Sequence, residues 1–144
     1  MRWSTTPSPP QPPPEVDSEA ATLTRSGTFS RPVLVTAPPG DVDRIFVVEH
    51  AGRVVIVDRG AVRAVPFLDI RSEVYLTNEP GFLSIAFAPD FPSSGLVYAL
   101  YNMRRGNGDL RLAEYRVSPA DPNVLDPTTG RTVLEIPKPW ENHN

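Results

Sequence analysis

The stretch VLVTAPPGDVDRIFVVE, residues 33–49, has a counterpart later in the chain, SIAFAPDFPSSGLVYALY, residues 84–101. In both, a run of apolar, strand-forming residues leads into Ala-Pro, a short polar loop and a second apolar run. The Ala-Pro pair at 37–38 aligns with the pair at 88–89, and the second runs align as well, at an offset of 51 to 52 residues. A repeat of about 50 residues built from short strands is typical of a β-propeller blade.

Eight runs have the length and residue types of β-strands, and no window has a sustained helical period. The sequence therefore predicts an all-β fold of four-stranded antiparallel propeller blades. Only about two blades fit between residues 30 and 136, whereas a closed ring needs about four to eight. A β-sandwich of eight short strands is the alternative. The predicted strands are 32–35, 44–49, 53–58, 61–68, 82–88, 96–102, 110–117 and 132–136.

The N-terminal segment differs in composition from the remainder of the chain. Six of the 18 prolines lie in residues 1–14, where they favour an extended polyproline II conformation with nothing to bury. We interpret residues 1–27 as a disordered Pro-rich linker in preference to a ligand for an SH3- or WW-type domain. Residues 28–144 are then the N-terminal part of a propeller, and we expect the sequence to be truncated at the start of the third blade.

Charge and cysteine content exclude several classes of function. The net charge of −3 gives no reason to expect a nucleic-acid partner, and the absence of cysteine excludes disulfides and thiolate metal sites. No segment approaches the roughly 20 apolar residues of a membrane span, so no transmembrane segment is predicted. The N-terminal segment lacks the apolar core of a signal peptide, so the sequence by itself leaves the compartment open.

Several segments together resemble the glucose/sorbosone dehydrogenase family, in that family's order and spacing. They include RIFVVEHAGRVVIVDRGAV (44–62), NEPGFLSIAFAPDF (78–91) and the final NHN (142–144). The resemblance extends over residues 28–144, with Ala88 standing where family members commonly have histidine. It implies a six-bladed propeller and an oxidoreductase that uses pyrroloquinoline quinone (PQQ). It also implies a location in the periplasm or outside the cell, and the absence of cysteine favours a bacterial enzyme.

The resemblance also implies a reaction and its residues. His143 takes the position of the general base, which removes the proton of a sugar's anomeric hydroxyl while a hydride passes to the quinone. Asn142 and Glu79 take positions that line the substrate and cofactor site. Composition alone favours an exposed terminal histidine at 143. The simpler alternatives for the other two are a turn asparagine and a solvated loop carboxylate, and for Glu79 the loop role and the site role are equally supported. The geometry of a propeller places the loops 77–81 and 137–144 at the same mouth of the ring.

Other candidate residues have structural interpretations. His50 follows a strand at a turn and is expected to be exposed, and Trp140 is expected to cover the edge of the second blade. The acids that end strands or begin turns are expected to cap the backbone. GNGD (106–109) is interpreted as a hairpin turn, because it lacks the further acids of a calcium-binding loop. The strand-end acids are Asp58, Asp69 and Asp90.

The family's cofactors are PQQ and calcium, and its partners are a sugar substrate and an external electron acceptor. The resemblance places the calcium ligands in later blades, outside these residues, so this chain alone is not expected to turn over. Two other functions remain open at this point. One is a non-catalytic propeller of the same superfamily, of the Hedgehog-interacting type, which binds a protein. The other is a complete small β domain with a disordered arm.

Overall fold

The computed structural model describes residues 22–140, and the residues in that range form nine β-strands and one short helix. Six predicted strands coincide with observed ones to within a residue at each end. The single helix is one turn long and lies in the short polar loop that the sequence predicted between the two apolar runs of the second repeat. The elements are β1 (Pro32–Thr36), β2 (Arg44–Glu49), β3 (Arg53–Asp58), β4 (Ala61–Val62), β5 (Leu68–Asp69), β6 (Phe82–Phe87), α1 (Phe91–Ser94), β7 (Leu96–Asn102), β8 (Leu110–Val117) and β9 (Leu125–Ile136).

The strands form two antiparallel sheets with the same order. The first sheet runs β1-β2-β3-β4, with the short β5 also paired to β3, and the second runs β6-β7-β8-β9. Consecutive strands pair with their neighbours throughout, which is the up-and-down topology of propeller blades. The predicted fold class is confirmed: the described part of the chain is a partial propeller made of two blades.

The internal repeat is visible in the hydrogen-bond register. Leu34 pairs with Val48 in the first sheet, and Ser84 pairs with Leu100 in the second. Equivalent pairs of the two sheets are thus separated along the chain by nearly the same offset as the sequence repeat. The register also shifts at the same place in both sheets, just after Pro32 and just after Phe82. The two sheets are therefore equivalent residue by residue along their first two strands.

Two predicted strands were wrong in extent. The run 61–68 is not one strand, because only its ends, β4 and β5, form ladder pairs with β3. Pro66, which has no N–H to donate, lies in the unpaired middle. The strand predicted at 132–136 begins earlier, at Leu125, because β9 pairs with β8 on both sides of an irregular segment at 127–130.

The core lies between the two sheets and joins them. It contains the inward-facing apolar residues of both sheets, with an aromatic group at its centre. Phe46 of β2 contacts Phe67 and Phe87 edge-on, with ring centroids 4.8 and 4.9 Å apart, and Phe87 contacts Phe91 in the same way at 4.8 Å. Edge-to-face contacts of this kind are favourable for aromatic rings. The two blades therefore share one core.

Both sheets place the same strand ends at one edge of the molecule. This edge, which we call the rim, contains the starts of β1, β3, β6 and β8 and the ends of β2, β7 and β9. The linker from the first sheet to the second, residues 70–81, runs along it. Across residues 22–140 there is no helix with the length and apolarity that crossing a membrane requires.

Candidate functional site at the rim

Glu79 lies on the rim, in the linker that precedes β6, as the propeller geometry predicted. Of the segment 137–144, residues 137–140 are described and follow the rim end of β9. Asn142 and His143 lie outside the described residues. Their proximity to Glu79 therefore stays a prediction.

The Glu79 turn, residues 77–80, is closed by a hydrogen bond from the Thr77 N–H to the Pro80 carbonyl at 3.0 Å. Side chains of the first blade bind the outward-pointing carbonyls of this turn. The Arg31 guanidinium donates to the carbonyls of Thr77 and Asn78, at 3.5 and 3.1 Å. The backbone of the turn is thus bound to the first blade, while the residue Glu79 itself is exposed.

His50 was expected to be exposed, and this expectation is wrong. Its side chain is buried, with 5% of the residue exposed, because the Glu79 turn of the next blade covers it. His50 Nε2 lies 3.0 Å from the Glu79 carbonyl oxygen. The ring packs so closely on Gly81 that a Cβ there would lie 2.2 Å from Nε2. No local pattern in the sequence signals this burial, since the covering residues belong to the next blade.

Asn102 occupies the position in the second blade that His50 occupies in the first. Both stand at the same place in the register, and the N–H of each donates to the residue before the first strand of its sheet: Arg31 for His50 and Gly81 for Asn102. The Asn102 side chain accepts from the Gly81 N–H at 3.1 Å and donates to the Gly108 carbonyl at 2.7 Å. Asn102 is 3% exposed. Asn102 was not among the predicted site residues.

The rim loops are connected across the second blade. In the predicted turn at 106–109, Asn107 donates to the carbonyls of Lys138 and Pro139, and Asp109 accepts from the Lys138 N–H at 3.0 Å. The segment that leads toward His143 is therefore bound to the turn that Asn102 also binds. This supports the expectation that the 77–81 and 137–144 loops begin at one edge of the molecule.

A polar network lies next to this edge, between the linker and the second sheet. The Tyr101 hydroxyl donates to Glu73 Oε2 at 2.8 Å and lies 3.5 Å from the Tyr115 hydroxyl, while Arg111 binds both Tyr101 and Glu135. Burial raises the pKa of Tyr101 and raises the pKa of Tyr115 far above its ordinary range. The hydrogen bond from Arg111 lowers the pKa of Glu135. Both hydroxyls thus stay protonated and the carboxylate stays ionised at neutral pH.

The remaining candidates have structural roles or lie apart from the rim. Asp58 pairs with Arg63 at 3.4 Å, and Asp69 accepts from the backbone and guanidinium of Arg71, a pair whose hydrogen bond lowers the pKa of Asp69. Asp90 precedes α1 at the opposite edge and makes no side-chain hydrogen bond that caps this helix, so the expected capping role is wrong. Trp140 is 70% exposed, so it does not bury its ring against the second blade as expected.

The described residues do not form a complete cofactor site. Among residues 22–140, no three His, Cys, Asp or Glu side chains come together as metal ligands. Of the predicted site residues, the structure describes Glu79, whose carboxylate accepts hydrogen bonds and would repel the carboxylates of a quinone acid such as PQQ. This donor set suits a hydroxyl-bearing ligand and does not by itself fit the quinone or a calcium ion. No step through either group is derived from these residues.

Residues 29–129 match the family model described as Glucose / Sorbosone dehydrogenase, which is most of the chain. The chain belongs to the glucose/sorbosone dehydrogenase family. The predicted resemblance is confirmed.

Two kinds of relatives resemble this member of the glucose/sorbosone dehydrogenase family. The human Hedgehog-interacting protein is 34% identical over 112 residues, covering 69% of this chain, and the mouse protein matches to the same extent. Among solved structures, the PQQ-bound form of aldose sugar dehydrogenase from Streptomyces coelicolor has a TM-score of 0.62 at 23% identity over 77% of this chain. The apo-form of the soluble aldose sugar dehydrogenase from Escherichia coli has a TM-score of 0.60 at 19% identity over 74%.

The structural matches show that the fold is shared. This chain spans 16% of the length of the Hedgehog-interacting proteins and 32% and 30% of the two dehydrogenase chains. The matched segment therefore corresponds to a small part of each relative.

Proposed function

We propose that the full-length protein containing these residues is a PQQ-dependent aldose dehydrogenase, which oxidises the anomeric hydroxyl of a sugar to a lactone. Family membership over residues 29–129 supports the reaction class. The observation that carries the proposal is the Glu79 turn. Its backbone is fixed by Arg31 and His50 at the edge where the 137–144 loop also begins, and the residue Glu79 is exposed there.

The proposed mechanism assigns one role to each predicted site residue. His143 removes the proton of the anomeric hydroxyl, a role that suits an imidazole because its ordinary pKa is near neutrality. Glu79 accepts a hydrogen bond from another sugar hydroxyl and so orients the ring, and Asn142 lines the site beside the base. PQQ, when bound to the full-length protein, would supply the two-electron acceptor that side chains cannot provide.

Other components of the proposal come from the remainder of the protein. Calcium and the groups that hold the quinone are assigned to later blades, as the family resemblance implies. An external electron acceptor is needed to reoxidise the quinone after each turnover. The identity of the sugar is open.

The test is dye-linked oxidation of aldoses by the full-length protein, reconstituted with PQQ and calcium. Replacing His143 by Ala should lower kcat by about 100-fold or more, as loss of a general base does. Asn123→Ala is a matched control, because it removes a hydrogen bond to Arg44 at the opposite edge and should leave kcat unchanged. Unchanged oxidation by the His143 variant would remove His143 as the base.

A second function is favoured by one observation, the 34% identity to the Hedgehog-interacting protein. In this alternative the propeller is non-catalytic and binds a protein at its rim. The same assay distinguishes the two. A folded full-length protein that binds no PQQ and oxidises no aldose, yet retains a protein ligand, would be a binding module.

A further inference from the structure

The Glu79 turn is bound by two buried polar side chains from equivalent positions in the two blades. His50, from the first blade, binds the Glu79 carbonyl. Asn102, from the second blade, accepts a hydrogen bond from the N–H of Gly81, the residue that follows the turn. Both residues are almost fully buried, with 5% and 3% exposed, so water does not compete for these contacts.

The chemistry of the His50 contact determines its tautomer. A carbonyl oxygen only accepts, so the neutral ring must carry its proton on Nε2 to bind Glu79. Nδ1 is then an acceptor, and it is buried with no hydrogen-bond partner among residues 22–140. Because Nδ1 has no partner that orients the ring, the other contacts of the His50 ring must hold it in this orientation. Those are the Glu79 carbonyl and the close face of Gly81.

We propose that His50, as the neutral Nε2–H tautomer, and Asn102 are positioning residues that together fix the Glu79 turn at the rim. They bind the backbone at the Glu79 carbonyl and at the Gly81 N–H, two residues further on, and so determine where the Glu79 carboxylate is presented. The consequence for catalysis rests on the proposed function, because it takes Glu79 as a substrate-lining group. The fixing of the turn itself does not depend on any activity.

Asn102 has a second contact that extends the same role. Its amide N–H donates to the Gly108 carbonyl, in the turn whose Asn107 and Asp109 bind residues 138 and 139. One amide side chain therefore joins the Glu79 turn to the turn that holds the second rim loop. Replacing Asn102 should loosen both loops, whereas replacing His50 should loosen only the first.

The first experiment measures structure without activity. In ring-nitrogen NMR of the full-length protein, His50 should have a protonated Nε2 and an unprotonated Nδ1. In amide hydrogen exchange, His50→Asn should speed exchange at Thr77 and Gly81 by about tenfold or more, since the shorter amide cannot reach Glu79. His50→Gln places an amide N–H near the position of Nε2 and should restore most of the protection.

Asn123→Ala is the control at the opposite edge and should leave exchange at Thr77 and Gly81 unchanged. An Nδ1–H tautomer, or equal exchange in the Asn and Gln variants of His50, would overturn the proposal. The protein needs no cofactor for either measurement.

The second experiment measures kinetics. If the full-length protein oxidises aldoses, His50→Asn and Asn102→Ala should lower kcat/KM by about 10- to 100-fold, and His50→Gln should recover it, as for other groups that orient a site residue. If the full-length protein has no dehydrogenase activity but exchange is still faster in the variants, the proposed function is wrong and the positioning role stands. Normal kcat/KM in active His50→Asn and Asn102→Ala variants would contradict the positioning role.

Discussion

At the scale of single residues, Gly81 shows how closely the rim is packed. Its backbone is not in the left-handed region, so glycine is required there for space alone: the His50 ring occupies the position of a Cβ. Gly40 is the opposite case, with a φ of 77° and no atom near its would-be Cβ. Replacing Gly81 therefore tests the steric cost of an added side chain, and replacing Gly40 tests the cost of a left-handed backbone.

We expect Gly81→Ala to displace the His50 ring and to lower the free energy of unfolding by about 1–3 kcal/mol, as overpacking does. Gly40→Ala should cost about 1 kcal/mol, through backbone strain alone. Urea unfolding of the full-length protein measures both. Only the Gly81 variant should also speed amide exchange at Thr77, and equal exchange in the two variants would contradict the steric argument.

The residue scale is also where sequence reasoning was weakest. Glu79 could be placed at the rim because a repeat of strands fixes which loops share an edge. The burial of His50 could not be predicted, because it depends on a turn of the next blade folding over it. Asn102 could have been found from the repeat. The offset that aligns the second strands of the two repeats at Val97 also aligns Asn102, at the strand end, with His50.

At the scale of elements, strand types were predictable and some strand limits were not. Runs of apolar and β-branched residues set the observed limits of β2, β3, β7 and β8. The pattern failed where a strand is interrupted but its pairing continues. In β9, Asp126 accepts from Thr128 in a local turn, yet the chain rejoins β8 at Arg131. Turn residues inside a paired strand have the same composition as a loop, so only the partner strand distinguishes them.

The Tyr101 hydroxyl joins three elements: β7, the linker through Glu73, and β8 through Arg111. Tyr101→Phe should lower the free energy of unfolding by about 1 kcal/mol at neutral pH, the usual net contribution of such a hydrogen bond. The pH dependence gives a more specific test. Burial raises the pKa of Tyr101, although hydrogen bonds with Tyr115 and Arg111 oppose this.

Because the folded pKa is raised, the unfolded chain loses the Tyr101 proton first. The stabilisation is therefore complete below about pH 10, the ordinary value, and falls as the pH rises through the folded value. Urea unfolding from neutral pH to about pH 11 should show a smaller loss of stability in Tyr101→Phe than in the wild type. Identical losses would show that this hydroxyl is not perturbed by folding.

At the scale of the whole molecule, the two blades are joined by aromatic contacts as well as by the linker. Phe87 belongs to the second sheet and contacts Phe46 and Phe67 of the first. Residues that pack in one core are expected to unfold together. We therefore treat the two blades as one cooperative unit whose cooperativity depends on this contact.

Phe87→Ala should lower the free energy of unfolding by about 3 kcal/mol, because it removes a half-buried ring from its contacts with Phe46 and Phe91. Amide exchange in the first sheet, at Val55, and in the second, at Ala113, should report one unfolding free energy in the wild type and two in the variant. Val35→Ala, at a position 59% exposed, should change neither. Coincident values in the Phe87 variant would show that the linker alone couples the blades.

The shared register shift after Pro32 and Phe82 has a consequence for engineering. Since both sheets enter their first strand with the same irregularity, a rim segment excised from one blade meets matching hydrogen-bond partners in the other. Segments 27–31 and 77–81 thus occupy equivalent positions in the two sheets, and a segment placed before β6 needs glycine at position 81, where the His50 ring leaves no room for a Cβ. The chemistry carried by such a segment can change while the scaffold beneath it is kept.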